Sequence, residues 1–465
     1  MVEVANLQAL VARRTGKPLY LVMLFRLGEP SLARLFLRRL LPRVTTGDSS
    51  DSEDVPLLNV FMSWRAVTTL LSGRPQFDPA VGGRQFEPSF VDPKQGPDAL
   101  ADQLGFSGRS APANWWADFS SSDIDLAVYA GCDSADQRTS LVQELRSAAA
   151  EGGWHELTVP SFAEGVVAGY LPAGGRLHFG YRDGITTPDV DWADTRRSGS
   201  VNLREFVLGY WSEDYPTSPY PKGPWQDFAR DGSFACLTWI HQDVAAFEGF
   251  LSQNAATVAG AAGKSDPKEW LAAKLMGRWR DGTPLARHPD EQPPEPDFDD
   301  GFDYADDPDG TRCPLDAHIR IVNSRRQPLK FANRSRFPKG PPRLIRRGFS
   351  YGEPLTSATD DLKDRGLFGV FLCARINEQF YTVVRWMQQT DFSDVFDGTS
   401  PGRSGQDRIT GSRLAGGANH APGLEVTEGG SGTTTTFKLA PFIRYKGVSV
   451  LFVPSIASLS ELAGG

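Results

Sequence analysis

One pattern recurs four times along this chain of 465 residues: an apolar or alternating run followed at once by a stretch with helical spacing. Pro18 to Leu27 reads as a strand and Ser31 to Leu41 as a helix. Asp123 to Tyr129 alternates, with Ile124, Leu126 and Val128 on one face, and Ser134 then caps a helix running through Ala149. Ser233 to Ile240 precedes a helix over Asp243 to Gln253, with Val244, Phe247 and Leu251 aligned. Leu367 to Ala374 precedes another over Asn377 to Met387. Further strands are expected at His155–Val159, Glu205–Leu208 and Val448–Val453. Two strand–helix units per half, with extra strands between them, predict an α+β fold of duplicated ferredoxin-like domains, helices packed on antiparallel sheets. The boundary is expected near residue 165, giving units 1–165 and 166–465. Gly47 to Val55 reads as a polar linker and residues 399–436, rich in Gly, Ser and Thr, as a mobile insertion.

Composition removes several classes. Apolar residues are 40% and charged residues 23% of the chain, an ordinary globular balance. No apolar run approaches the ~20 residues of a membrane helix, and Met1 to Leu10 lacks the pattern of a secretory leader, so a cytoplasmic protein with no membrane partner is expected. The four cysteines, Cys132, Cys236, Cys313 and Cys373, are far apart and form no CxxC, which argues against zinc ribbons, common iron–sulfur runs and covalent haem attachment. HExxH and phosphate-binding glycine loops are absent. Gly348-Phe349-Ser350-Tyr351-Gly352 matches GxSxG but follows a basic, proline-rich stretch, not an apolar strand.

Charge is segregated in the second half. Asp290 to Gly310 holds ten acidic residues and no Lys or Arg; Arg312 to Arg347 holds eleven basic residues and one acid, Asp316. The net charge of -8 and the scarcity of aromatics in the basic block argue against nucleic acid. The acidic block lacks a complete Ca²⁺-loop pattern and reads as a disordered loop. Its clustered carboxylates leave a subsidiary Mn²⁺ site as an alternative.

Three clusters carry candidate chemistry. His178-Phe179-Gly180-Tyr181-Arg182-Asp183-Gly184 describes a tight loop presenting a carboxylate. Cys313-Pro314-Leu315-Asp316-Ala317-His318-Ile319-Arg320 sets His318 between the acidic and basic blocks. Leu344-Ile345-Arg346-Arg347-Gly348 ends the basic block in paired arginines. None of the six histidines has metal-chelating spacing, yet one histidine suffices where a macrocycle supplies the other ligands. Read alone, each cluster is a turn or a surface segment.

In this order and separation the three clusters resemble the dye-decolorizing (DyP-type) haem peroxidases, nearest the larger fungal-type and extended bacterial members. Asn6 to Val11, Glu205 to Tyr210, Asp231 to Phe234, Gly277 to Trp279 and Phe452 to Ser455 extend the resemblance along nearly the whole chain. Ser350 stands where that family usually has proline, and Thr186-Thr187 depart from its commoner residues. The resemblance implies one haem b in the C-terminal half, with His318 as proximal iron ligand and Asp183, Gly184 and Arg346 on the opposite side. Arg347 would either point away or pair with a haem propionate. It implies reduction of hydrogen peroxide and one-electron oxidation of dyes, phenols or other aromatic reductants, with Asp183 and Arg346 catalytic. Glu378 or Asn377 is expected to accept the other N–H of His318, and Trp386 or Tyr351 to relay electrons at the surface. The alternatives are a haem-binding, iron-releasing protein without turnover, a manganese-oxidising variant, and an interaction module without haem.

Overall fold

The computed structural model describes residues 2–52, 54–92, 101–116, 123–159, 162, 164–258, 263–357, 359–388, 390–412, 424–427, 434–437 and 439–465. Its centre is one antiparallel sheet of ten strands: β1 (Leu19–Leu27), β2 (Leu57–Met62), β3 (Leu126–Cys132), β4 (Trp154–Leu157), β5 (Val167–Tyr170), β6 (Ser233–Gln242), β7 (Ile345–Arg346), β8 (Phe349–Tyr351), β9 (Gly366–Cys373) and β10 (Ile443–Val453). Six helices matter here: α1 (Pro30–Leu40), α2 (Ala135–Glu151), α3 (Val244–Asn254), α4 (Pro267–Met276), α5 (His318–Val322) and α6 (Thr382–Gln388). Among the described residues no helix is long and apolar enough to cross a membrane.

The duplication is visible in the pairing. The first unit runs β1-α1-β2-β3-α2-β4 and lies in the spatial order β4-β1-β3-β2; the second runs β6-α3-β7-β9-α6-β10 and lies in the order β10-β6-β9-β7. Both therefore place the fourth strand beside the first, then the third, then the second, as the α+β ferredoxin-like reading expects. The edges then fuse. β2 meets β10 through Met62 opposite Phe452, β5 pairs with β1, and β8 pairs with both β5 and β9, so the sheet closes on itself.

Closure explains why β1, β2 and β3 read as nearly unbroken apolar runs: both faces are buried. Tyr20, Val22 and Leu24 point into the barrel with Tyr129, Phe349 and Phe368, where Phe349 stacks on Tyr20 at 5.7 Å and on Phe368 at 5.3 Å. Leu21, Met23 and Phe25 face outward onto the helices, Phe25 meeting Phe36 of α1 at 5.7 Å. Ser134 caps α2 through the Gln137 N–H, and Asp243 caps α3 through that of Ala246, both as their residue types predict.

Two expectations change. Glu205 to Leu208 is not a strand; a 3-10 turn over Leu203–Glu205 leads into an irregular segment that buries Phe206 and Val207 in the barrel core. Capping of that core, not sheet pairing, is what its apolar residues serve. Residues 399–412 do not read as mobile either: they pack against the rest of the fold, with Asp407, Arg408 and Ile409 buried. Residues 413–423, 428–433 and 438 of the expected insertion lie outside the described residues.

The β2–β10 seam has a single register pair, and Gln8 reinforces it. Its amide nitrogen donates to Val60 O at 2.9 Å and Pro454 O at 2.7 Å, while its amide oxygen accepts from Val60 N at 2.7 Å. A leucine here would strand these buried backbone groups. Gln8→Leu should lose about 2–4 kcal/mol of stability in denaturant unfolding, whereas a loss under about 0.5 kcal/mol would mean that water or backbone shifts replace the amide.

Candidate active site

His318 is the first residue of α5, and its Nδ1 lies 2.7 Å from Asp407 Oδ2. Asp407 is fully buried, so its charge needs donors: its other oxygen accepts the Ile409 and Thr410 N–H groups, each at 2.8 Å. Burial pushes the Asp407 pKa up, but the charge and hydrogen bond of His318 and these N–H groups outweigh it and hold the pKa below the usual carboxylate value. A carboxylate on Nδ1 leaves Nε2 as the lone-pair nitrogen, and Nε2 has no protein partner among the described residues.

The segment carrying Asp407 is itself fastened. Arg408 Nε donates to Asp316 Oδ1 at 2.6 Å, Arg408 N to Asp316 O at 3.1 Å, and Asp407 N to Met387 O of α6 at 2.8 Å. Asp316 and His318 share one short stretch, so the clamp and the histidine move together. Asn377 and Glu378, the expected partners of His318, sit in a wide helical turn before α6, and no hydrogen bond joins either to His318. Sequence reasoning missed Asp407 because 89 residues separate the pair.

Facing His318 is the Asp183 loop. Gly184 follows with φ 84°, a left-handed conformation, and a β-carbon there would come within 2.5 Å of the Arg14 guanidinium, so glycine is required. Arg346 of β7 reaches across, its Nη2 3.5 Å from Asp183 Oδ1 and 3.2 Å from Thr186 O. The Asp183 side chain is 42% exposed, yet it lies deep enough among protein atoms that desolvation alone would raise its pKa. Arg346, the Gly184 N–H, Arg14 and His318 together reverse this and hold it below the usual carboxylate value. The charges of Arg346 and His318 thus both act on Asp183. Arg347 turns away: it is buried, its Nε donates to Leu10 O at 2.9 Å and Arg13 O at 3.1 Å, and burial pulls its pKa down to about 10. Of the two expected relay residues, Tyr351 is buried in the barrel, and Trp386 is half-buried between Phe337 and Phe396.

The acidic and basic blocks fold onto each other, so the acidic block is not a disordered loop. Asp300 accepts from Arg278 at 3.1 Å, from Arg325 and from the Thr186 hydroxyl at 2.8 Å. Arg320 is completely buried and bonds Asp307 at 2.9 Å, while Asp307 also accepts the Cys313 N–H at 2.9 Å, just before the histidine motif. Arg278 and Arg343 are held below the usual arginine range, by burial first and the Arg325 charge second. Arg325 Nε is buried with no hydrogen-bond partner. Arg278 and Arg325 share the Asp300 carboxylate and Arg343 bonds the Asn323 amide oxygen, a surplus of positive charge that suits the two propionates of a haem. His318 as a nitrogen donor suits its iron, and among the described residues no three His, Cys, Asp or Glu side chains group as a metal site of their own.

Comparison with known proteins finds chains of similar sequence and chains of similar fold. Peroxidase 2 of Mycetinis scorodonius is 31% identical over 316 residues, covering 62% of this chain and 56% of that protein. The solved structure of a dye-decolorizing peroxidase in complex with 2,6-dimethoxyphenol superposes with a TM-score of 0.76 over 100% of both chains, at 22% identity. By fold and by sequence the chain is similar to the dye-decolorizing peroxidases. A peroxidase of this family from Auricularia auricula-judae is 24% identical over 389 residues, 78% of this chain and 71% of its own. The matched stretches span little more than half the length of the first curated relatives, 56% in two of them. No family profile matches the chain.

The Arg320–Asp307 pair supports the loop that presents His318. Arg320→Met should cost about 3–5 kcal/mol, because it leaves the Asp307 charge buried without its partner. Arg320→Met combined with Asp307→Asn should recover part of that loss in denaturant unfolding. No recovery would mean that Arg320 acts through its bonds to backbone carbonyls instead.

Proposed function

We propose that this chain binds one haem b through His318 and is a peroxidase, reducing hydrogen peroxide and oxidising dyes, phenols or other aromatic reductants in one-electron steps. One observation carries the reading: Asp183 and Arg346 form a carboxylate–guanidinium pair on the side facing His318. A protein that only carried haem or released its iron would need the histidine but not this pair. The haem, once bound, supplies the redox chemistry, and the arginine cluster of Arg278, Arg325 and Arg343 would hold its propionates. The same proposal places it in the second unit, residues 166–465, and the protein in the cytoplasm.

The residues divide the work by charge. Ionised Asp183 accepts the proton of the inner peroxide oxygen and returns it to the outer one, directly or through one water. Arg346 is a fixed cation beside that outer oxygen and stabilises the negative charge that develops as the O–O bond breaks. It also helps to keep Asp183 ionised, as the largest of the influences that lower its pKa. Asp407 holds the Nδ1 proton of His318, which fixes the tautomer and strengthens Nε2 as a donor. Gly184 and the Thr186–Asp300 bond keep the Asp183 loop in register with Arg346.

Two consequences are measurable by stopped-flow mixing of the haem-loaded protein with peroxide. Arg346→Leu should slow the first reaction ~10²–10³-fold, and Asp183→Asn less, because water can replace a proton relay. The Asp183 pKa is depressed, so the group is ionised above its lowered value, and the reaction should fail only below pH ~3.9. In Arg346→Leu that acid limb should move upward, because the largest influence lowering the Asp183 pKa is lost. A larger loss in Asp183→Asn, or a limb that stays in place, would reverse the assigned roles.

A further inference from the structure

Immediately before Asp183, Arg182 points out of the protein. Its guanidinium carbon lies 4.5 Å above the ring of Phe298, and among the described residues it has no carboxylate partner. Phe298 is an aromatic ring 43% exposed within the acidic block, an unusual place for it. The two chain segments meet at Gly282, whose φ of 111° only glycine adopts freely: the site of its absent β-carbon lies 2.5 Å from Ile185 and 3.3 Å from Phe298. Phe298, Ile185 and Arg182 thus form one patch on the rim of the Asp183 loop.

The charge balance of the patch is also distinctive. Asp297 and Asp299, on either side of Phe298, are occupied by Arg287 and His288. Arg176, joined to Arg182 by an isolated bridge, spends its guanidinium on the carbonyls of Gly180 and Arg280, and among the described residues it too has no carboxylate partner. Two neighbouring arginines therefore lack acid partners, and one of them, Arg182, lies over an exposed ring, on a chain whose net charge is -8. Such a chain repels anions over most of its surface, so a cationic spot concentrates them there. Guanidinium offers paired N–H groups to carboxylate or sulfonate, and an exposed phenyl face and isoleucine offer apolar surface to a flat ring.

We propose that Arg182 and Phe298 form a docking site for planar aromatic anions, carboxylates or sulfonates, at the edge of the Asp183 loop. The proposal rests on the peroxidase reading and adds the charge class of reductant that this rim selects. Arg182 meets the anionic group; Phe298 and Ile185 meet the ring.

The test compares wild type with Arg182→Gln and Phe298→Ser. Equilibrium dialysis of an anthraquinone sulfonate against the full chain, without peroxide, reads binding alone. Steady-state oxidation reads the ratio of kcat/KM for a sulfonated dye over that for a neutral methoxyphenol. Arg182→Gln should weaken sulfonate binding and lower the ratio, each by about tenfold at low salt. Added salt should lower the wild-type ratio toward that of the variant, and Phe298→Ser should lower it by a smaller factor. A ratio unmoved in Arg182→Gln, with both substrates still oxidised, overturns the docking site. If no substrate is oxidised but sulfonate binding still depends on Arg182, the site stands and the peroxidase reading falls. If binding is also unmoved, both fall.

Discussion

The buried hydrogen bond between Asp407 and His318 is the interaction on which the site depends. An ionised carboxylate with no solvent exposure is tolerated only when both its oxygens are hydrogen-bonded. The chain meets that demand from two directions: backbone N–H groups of Ile409 and Thr410 on one oxygen, the imidazole on the other. Once these bonds form, the ring can neither rotate nor exchange tautomers, and Nε2 is left without a protein partner among the described residues. Arg408 ties the same segment to Asp316, two residues before His318, so the carboxylate and the imidazole are set by one local frame.

Around that frame the charged blocks perform a structural task that their composition conceals. Three acids of the acidic block pair with arginines of the basic block, Asp300 with Arg325, Asp303 with Arg326 and Asp307 with Arg320, and Asp300 is shared with Arg278. Pairing them allows irregular backbone to be packed densely around α5 without stranded charge. Where pairing is incomplete, at Arg325 and Arg343, positive charge is left over beside the site. The barrel supplies the fixed platform. β7 holds Arg346 opposite Phe371 of β9, while the Asp183 loop is joined to it by bonds through Thr186.

Much of this was legible in the amino-acid order. β1, β6 and β9 announce themselves as apolar runs, and Ser134 and Asp243 mark helix starts through cap chemistry that acts within a few residues. Gly184 beside Asp183 is legible for the same local reason, since a tight turn demands glycine. Long-range facts were not legible. Asp407 lies in a Gly- and Ser-rich stretch whose composition suggests mobility, and only the distant histidine makes its burial sensible. Glu205 to Leu208 carries the apolar residues of a strand, but the barrel end needs a plug there. Arg346 and Arg347 are indistinguishable in sequence; strand geometry sends one toward Asp183 and the other to the carbonyls of Leu10 and Arg13.

Whether His318 holds iron under the influence of Asp407 decides the role of this pair. The direct measurement is the iron–histidine stretching vibration of the reduced, haem-loaded protein in wild type and Asp407→Asn, with absorption spectra confirming one haem per chain in each. A neutral amide donates no charge through Nδ1, so the stretch should fall to lower frequency in the variant, reflecting a weaker bond to iron. An unchanged frequency, or a wild-type spectrum with no histidine–iron band, would contradict the role given to this pair.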